Sequence, residues 1–165
     1  MKRQKFLIAA LVLVVAAVVA AFSFRKDTDL SGSMPLEMVN KDNHPVAFSD
    51  LKGKVLFVNN WASWCPPCIA DMPSIMELKR KLEGADIEFV MVSFDEDRNK
   101  AEAFMNKRKY DFKIYFPGQQ YPFVTSSIPA TFIVDKTGKT VMEHTGMTDY
   151  SNDEIVSQLK ALANE

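Results

Sequence analysis

Two cysteines occur in this chain of 165 residues, and both lie in one run, Trp64-Cys65-Pro66-Pro67-Cys68. Thiols separated by two residues can close a small disulfide and open it again, so the pair reads as a two-electron switch. No third cysteine is present to shuffle with them or to complete a metal cage. A zinc site would need two further ligands at matching spacing, and the only histidines, His44 and His144, are far apart in the sequence. A purely structural disulfide is a second alternative, but so short a loop restricts the unfolded chain very little. No metal and no organic cofactor is expected.

Such chemistry needs a strand to deliver the pair and a helix to activate it. Residues 55–59 (Val-Leu-Phe-Val-Asn) form an apolar run suited to a buried central strand. Residues 69–82 predict a helix that ends at Gly84, a left-handed terminator. Pro66 and Pro67 fit its first turn, where missing amide hydrogens cost nothing, and Pro73 falls inside it, where a kink is expected. Cys65 then faces the positive end of the helix, which stabilises its thiolate and makes it the nucleophile. Cys68, one turn further in and more buried, becomes the resolving thiol.

Around this unit the pattern predicts a hairpin from 36–40 and 46–48, a strand over 87–94 and a charged helix over 96–110. A strand over 112–116 follows, then a second hairpin turning at 136–139. A closing helix over 149–163 has Asp149 or Ser151 as its cap. Residues 119–127 lack periodicity. Alternation of this kind implies an α/β fold, a mixed sheet with helices on both faces and the active turn at the carboxyl end of a central strand.

Hydrophobic residues make up 47% of the chain and charged residues 25%, the composition of a globular protein. A formal net charge of −1 argues against nucleic acid as a partner. The N-terminus differs from the body. Lys2, Arg3 and Lys5 precede an uncharged stretch, 6–24, long enough at about 1.5 Å per residue to span a bilayer core. A cleaved signal peptide carries a shorter apolar region of about 7–15 residues, so an uncleaved anchor is the favoured reading. Processing near Ala21-Phe22-Ser23 is the alternative. The expected organisation is an anchor over 1–26, a polar linker over 27–33 and one folded domain over 34–165. Positive charge before the span keeps that end cytoplasmic and places the domain outside, where disulfides persist.

The residues Asn59-Asn60-Trp61-Ala62-Ser63-Trp64-Cys65-Pro66-Pro67-Cys68, then Pro73, then Ile128-Pro129-Ala130-Thr131-Phe132-Ile133-Val134-Asp135 resemble the thioredoxin-like superfamily. Within it, the chain is most similar to the membrane-tethered TlpA/ResA group. The resemblance implies a thioredoxin-like sheet flanked by helices, with a leading hairpin and an extra strand-helix unit after Gly84. It makes Pro129 a cis-proline beside the disulfide, and Trp64, Pro66, Ile128 and Pro129 the surface that meets substrate. An ordinary trans proline opening a strand is the plain alternative. Asn60 stands where relatives carry an aromatic residue. Asp71 stands where they place a glutamate near the dithiol, as a proton acceptor for Cys68; an exposed acid in the first helical turn is the competing reading.

The implied activity is extracytoplasmic thiol-disulfide exchange on protein disulfides, in the reducing direction. The implied setting is the bacterial cytoplasmic membrane, with the domain on the periplasmic side. A membrane electron carrier of the DsbD/CcdA kind would regenerate the dithiol. Apocytochrome c thiols or the copper-site cysteines of an oxidase assembly factor are implied substrates, and a monomer is expected. An oxidant or isomerase is the rival within this chemistry. A Cu(I) chaperone and a peroxidase are rivals outside it. Met72 and Met76, one turn apart, read as core residues before they read as a copper pair.

Overall fold

The computed structural model describes residues 37–165; the expected anchor, the linker and the first residues of the domain lie outside them. Seven strands form one mixed sheet. In chain order they are β1 (Glu37–Val39), β2 (Pro45–Ala47), β3 (Val55–Trp61), β4 (Ile87–Ser93), β5 (Ile114–Pro117), β6 (Ala130–Val134) and β7 (Thr140–Thr145). Among the described residues, three α-helices accompany them: α1 (Pro66–Lys81), α2 (Arg98–Arg108) and α3 (Asp153–Asn164). The sheet order is β2-β1-β5-β4-β3-β6-β7, with β3 parallel to β4 and antiparallel to β6. Among the described residues, no helix is long and apolar enough to cross a membrane.

β3 is buried at every residue because it lies inside the sheet with both faces covered, and its alternation sorts two cores. Val55, Phe57 and Trp61 point to the face where α1, α2 and α3 all deliver buried residues, among them Met72, Ile75, Met105 and Leu159. Leu56 and Val58 point to the opposite face, where Phe48, Tyr121 and Phe123 complete the core. Helices on both faces were expected. The second face is instead covered by a 3-10 turn, Phe48–Leu51, and by an irregular segment, 118–129, that contains neither helix nor strand. The absence of periodicity in 119–127 reflects this: the segment packs by individual aromatic rings. Phe123 lies 4.8 Å from Phe132 and 5.4 Å from Phe48, centroid to centroid.

The predicted hairpins form at β1–β2 and β6–β7, and Gly84 takes the expected left-handed conformation at φ +82°. Helix α1 continues through Pro73. The cap of the closing helix is a correction. Asn152 holds it, its side chain accepting from the Ile155 amide at 2.9 Å. Asp149 is engaged in a tighter local turn, accepting from the Ser151 amide and hydroxyl at 2.9 and 2.6 Å, so the helix starts later. Lys81 then joins the end of α1 to the start of α3 through the Ser151 carbonyl at 2.7 Å and Asp153 at 3.0 Å.

Candidate active site

The end of β3 feeds directly into the N-terminus of α1, and the two cysteines sit at that junction joined as a disulfide. Cys65 is the helix cap, with extended backbone, and its sulfur accepts the Cys68 amide hydrogen at 3.3 Å. Pro66 and Pro67 carry no amide hydrogen, so Cys68 offers the first one that the helix can aim at this sulfur. Asp95 fixes the preceding loop by accepting from the Ser63 amide at 2.8 Å and the Ser63 hydroxyl at 2.6 Å. Ser93 adds a third bond to the same carboxylate at 2.8 Å. This acid was not singled out from sequence; its role appears only when β4 is placed beside β3.

Both sulfur-bearing residues are nearly covered, Cys65 at 3% exposure and Cys68 at 1%. The expected difference in solvent access is therefore small in the disulfide form. Surroundings separate them better: the Cys65 sulfur lies 3.9 Å from the Ile128 carbonyl oxygen. The Ile128–Pro129 bond is cis, as the resemblance implied. Pro129 is buried, Ile128 is half-buried, and Pro66 and Pro67 are exposed. The two tryptophans divide as expected between packing and rim: Trp61 is fully buried and Trp64 is 63% exposed. A groove of about 240 Å³ beside Trp64 is lined by Phe94, Glu96 and Lys100 among others.

Asp71 is inside the protein, at 2% exposure, which removes the reading of a surface acid. One carboxylate oxygen accepts the Thr148 amide hydrogen at 3.2 Å. The other is buried with no hydrogen-bond partner among the described residues. Burial pushes its pKa up to about 6, against the opposing pull of the Thr148 amide and of His144 on β7. Nearby, the Tyr150 hydroxyl and Thr131 share a bond of 2.6 Å, and Thr131 accepts from Asn59 at 2.9 Å. Burial holds the Tyr150 pKa at about 12, so this seam stays neutral while the acid titrates.

The span after β7 touches both halves of the site. Gly146, at φ +103°, donates its amide hydrogen to the Pro129 carbonyl at 2.9 Å. Thr148, two residues on, is the residue bound to Asp71. Met147 between them is 64% exposed. On the opposite side of the sheet, Asn60 is fully buried: it donates to the Phe123 carbonyl at 2.6 Å and accepts from the Tyr121 hydroxyl. The sequence marked Asn60 only as a departure from an aromatic pattern, because its partners lie more than sixty positions away.

A buried Cys-x-x-Cys disulfide beside a cis-proline and a buried acid can exchange with the thiols and disulfides of a polypeptide. Comparison with known proteins agrees. The family model described as Redoxin matches residues 18–159, and the chain belongs to that family. Thiol-disulfide oxidoreductase ResA of Bacillus thuringiensis (strain Al Hakam) is 24% identical, over 98% of this chain and 99% of that one. The ResA of Oceanobacillus iheyensis is 29% identical over 84% of this chain and 80% of its own length. A thiol:disulfide interchange protein of the thioredoxin family from Chlorobium tepidum superposes with a TM-score of 0.63, at 21% identity over 76% of this chain and 95% of that one. The chain is a ResA/TlpA-like protein disulfide oxidoreductase with a thioredoxin-like fold.

Proposed function

We propose that this oxidoreductase works as a reductant of protein disulfides on the outer side of the cytoplasmic membrane, held there by residues 6–24. The observation that carries the direction is the burial of Asp71, one turn after Cys68, with one carboxylate oxygen unpartnered among the described residues. A negative charge held inside the protein disfavours a second one beside it, so thiolate formation is opposed. Pro66 and Pro67 act in the same sense, because they remove two amide hydrogens that would otherwise solvate a Cys65 thiolate. A dithiol whose thiolates are poorly stabilised gives up electrons more readily than that of a strong oxidant.

In the forward reaction, the Cys65 thiolate attacks one sulfur of a substrate disulfide lying along the Ile128–Pro129 backbone. A mixed disulfide forms and the substrate's second sulfur leaves as a thiol after taking up a proton. Cys68 passes its proton to Asp71 and attacks the Cys65 sulfur, which breaks the bond to the substrate, restores the Cys65–Cys68 disulfide and expels the substrate's first sulfur as a thiolate. That thiolate takes up a proton from solvent as Asp71 gives its proton back to solvent. A membrane dithiol carrier of the DsbD/CcdA kind supplies the two electrons that reopen it. Haem-attachment thiols of apocytochrome c, or cysteines of a copper-site assembly factor, suit an enzyme of this kind as substrates.

Equilibration with glutathione tests the direction. A potential near that of thioredoxin, about −270 mV, is expected, whereas one near about −120 mV would make the protein an oxidant. A Cys68→Ser variant leaves the mixed disulfide unresolved, and its captured partners identify the substrate.

A further inference from the structure

We infer that Asn60 is a positioning residue for disulfide exchange: its carboxamide holds the 118–129 segment against β3, so that the Ile128–Pro129 backbone can align a polypeptide disulfide on Cys65. The inference rests on the docking of substrate along that backbone proposed above.

The geometry is a clamp at two points. Asn60 pairs with Ala130 across the β3–β6 ladder, immediately after Pro129. Its side chain turns to the face without α-helices and binds Tyr121 and Phe123, at the other end of the loop. One residue of β3 thus sets both ends of the stretch 123–130, which contains the cis-proline. Between those ends, residues 123–129 belong to no helix or strand, and the Gly146 amide on the Pro129 carbonyl holds only the far end. Phe123 packs on Phe48 and Phe132, and Tyr121 on Phe94, but ring contacts have broad minima, whereas hydrogen bonds fix direction and distance.

The orientation of the amide follows from chemistry. A carbonyl oxygen only accepts, so the NH₂ group must face Phe123, which leaves the amide oxygen for the Tyr121 hydroxyl. Tyr121 is 6% exposed and Phe123 is 1% exposed, so water does not replace a lost partner at this point. A phenyl ring in place of Asn60 is larger and carries no hydrogen-bonding group, so it would crowd this buried position and leave both polar groups without a partner. At the other end of the same loop, the Ile128 carbonyl lies 3.9 Å from the Cys65 sulfur. A shift of the segment therefore changes the path offered to an extended chain and leaves the Cys65–Cys68 pair, built on β3 and α1, in place.

The test compares two substrates on the reduced full chain: a disulfide-bonded peptide, which needs the loop, and hydroxyethyl disulfide, which is too small to use it. In wild type, the peptide should react faster. In Asn60→Ala the rate constant for the peptide should fall about tenfold, the equivalent of one good buried hydrogen bond. The rate constant for hydroxyethyl disulfide should change by less than about twofold, because no such bond is involved in that reaction. Tyr121→Phe, which keeps the ring and removes one bond, should give the same selective loss at about threefold. Equal losses on both substrates, or a peptide preference intact in both variants, would overturn the role of Asn60 and leave the docking proposal standing. A wild-type enzyme with no preference for the peptide would overturn docking and clamp together.

Discussion

The two sides of the active site are built by different means. The cysteine side is the junction of a fully buried strand with a helix, and its position follows from ladder hydrogen bonds to β4 and β6 and from helix geometry. The proline side is an irregular segment held by aromatic packing, by the buried Asn60 carboxamide and by the Gly146 amide on the Pro129 carbonyl. Regular structure holds atoms where chemistry needs them; irregular structure can be altered by single side chains without disturbing the sheet. The first side is thus expected to govern whether exchange occurs, and the second which disulfides are served.

The sharpest way to break this division is at Cys65. Cys65→Ala should abolish turnover on every disulfide, with the sheet unchanged by circular dichroism. Residual exchange through Cys68 alone would mean that the helix cap does not select the nucleophile. Phe123→Ala should lower stability by about 3–5 kcal/mol in denaturant titration, because it empties a site closed by Phe48, Phe132 and Tyr121. A much smaller loss would show that the irregular segment is not part of the cooperative core.

Asp71 gives the next effect, and its sign is fixed by its shift from an ordinary 3.8 to about 6. Between those values the folded protein binds more protons than the unfolded chain. The stability conferred by the neutral acid is therefore complete below pH 3.8 and is lost as pH rises through 6. The loss at neutral pH is about 3 kcal/mol for the oxidised protein, on the order of two pKa units. Asp71→Asn should flatten that part of the stability profile, and it should lower the apparent thiol pKa read from thiolate absorbance. Unchanged profiles in both measurements would dissociate the acid from the cysteines. Trp64→Ala should have the smallest effect on folding, within about 0.5 kcal/mol, since the ring is exposed. Its effect should instead appear in the affinity for protein substrates.

The same division explains what could be read from the sequence. The cysteine side was legible because β3 is a continuous apolar run, because Pro66 and Pro67 mark a helix start, and because Gly84 marks its end. Pro129 was legible through Ile-Pro-Ala-Thr and its resemblance to a family pattern. The burial of Asp71 was not, since helical spacing places it near Cys68 but does not show that Thr148 closes over it from 77 positions away. Nor were the clamp at Asn60, the Asp95–Ser63 brace and the Asn152 cap resolved. Each depends on which of several polar side chains reaches a backbone group first, and pattern does not order those choices.

One short span ties the proline to the acid. Gly146 grips the Pro129 carbonyl and Thr148 grips Asp71, with one residue between them. Both amide hydrogens thus come from one short span of backbone. The backbone that meets the cis-proline is therefore also the backbone that solvates the buried carboxylate. A single substitution in this span, at Gly146 or Thr148, would thus be felt at a residue on each side of the site.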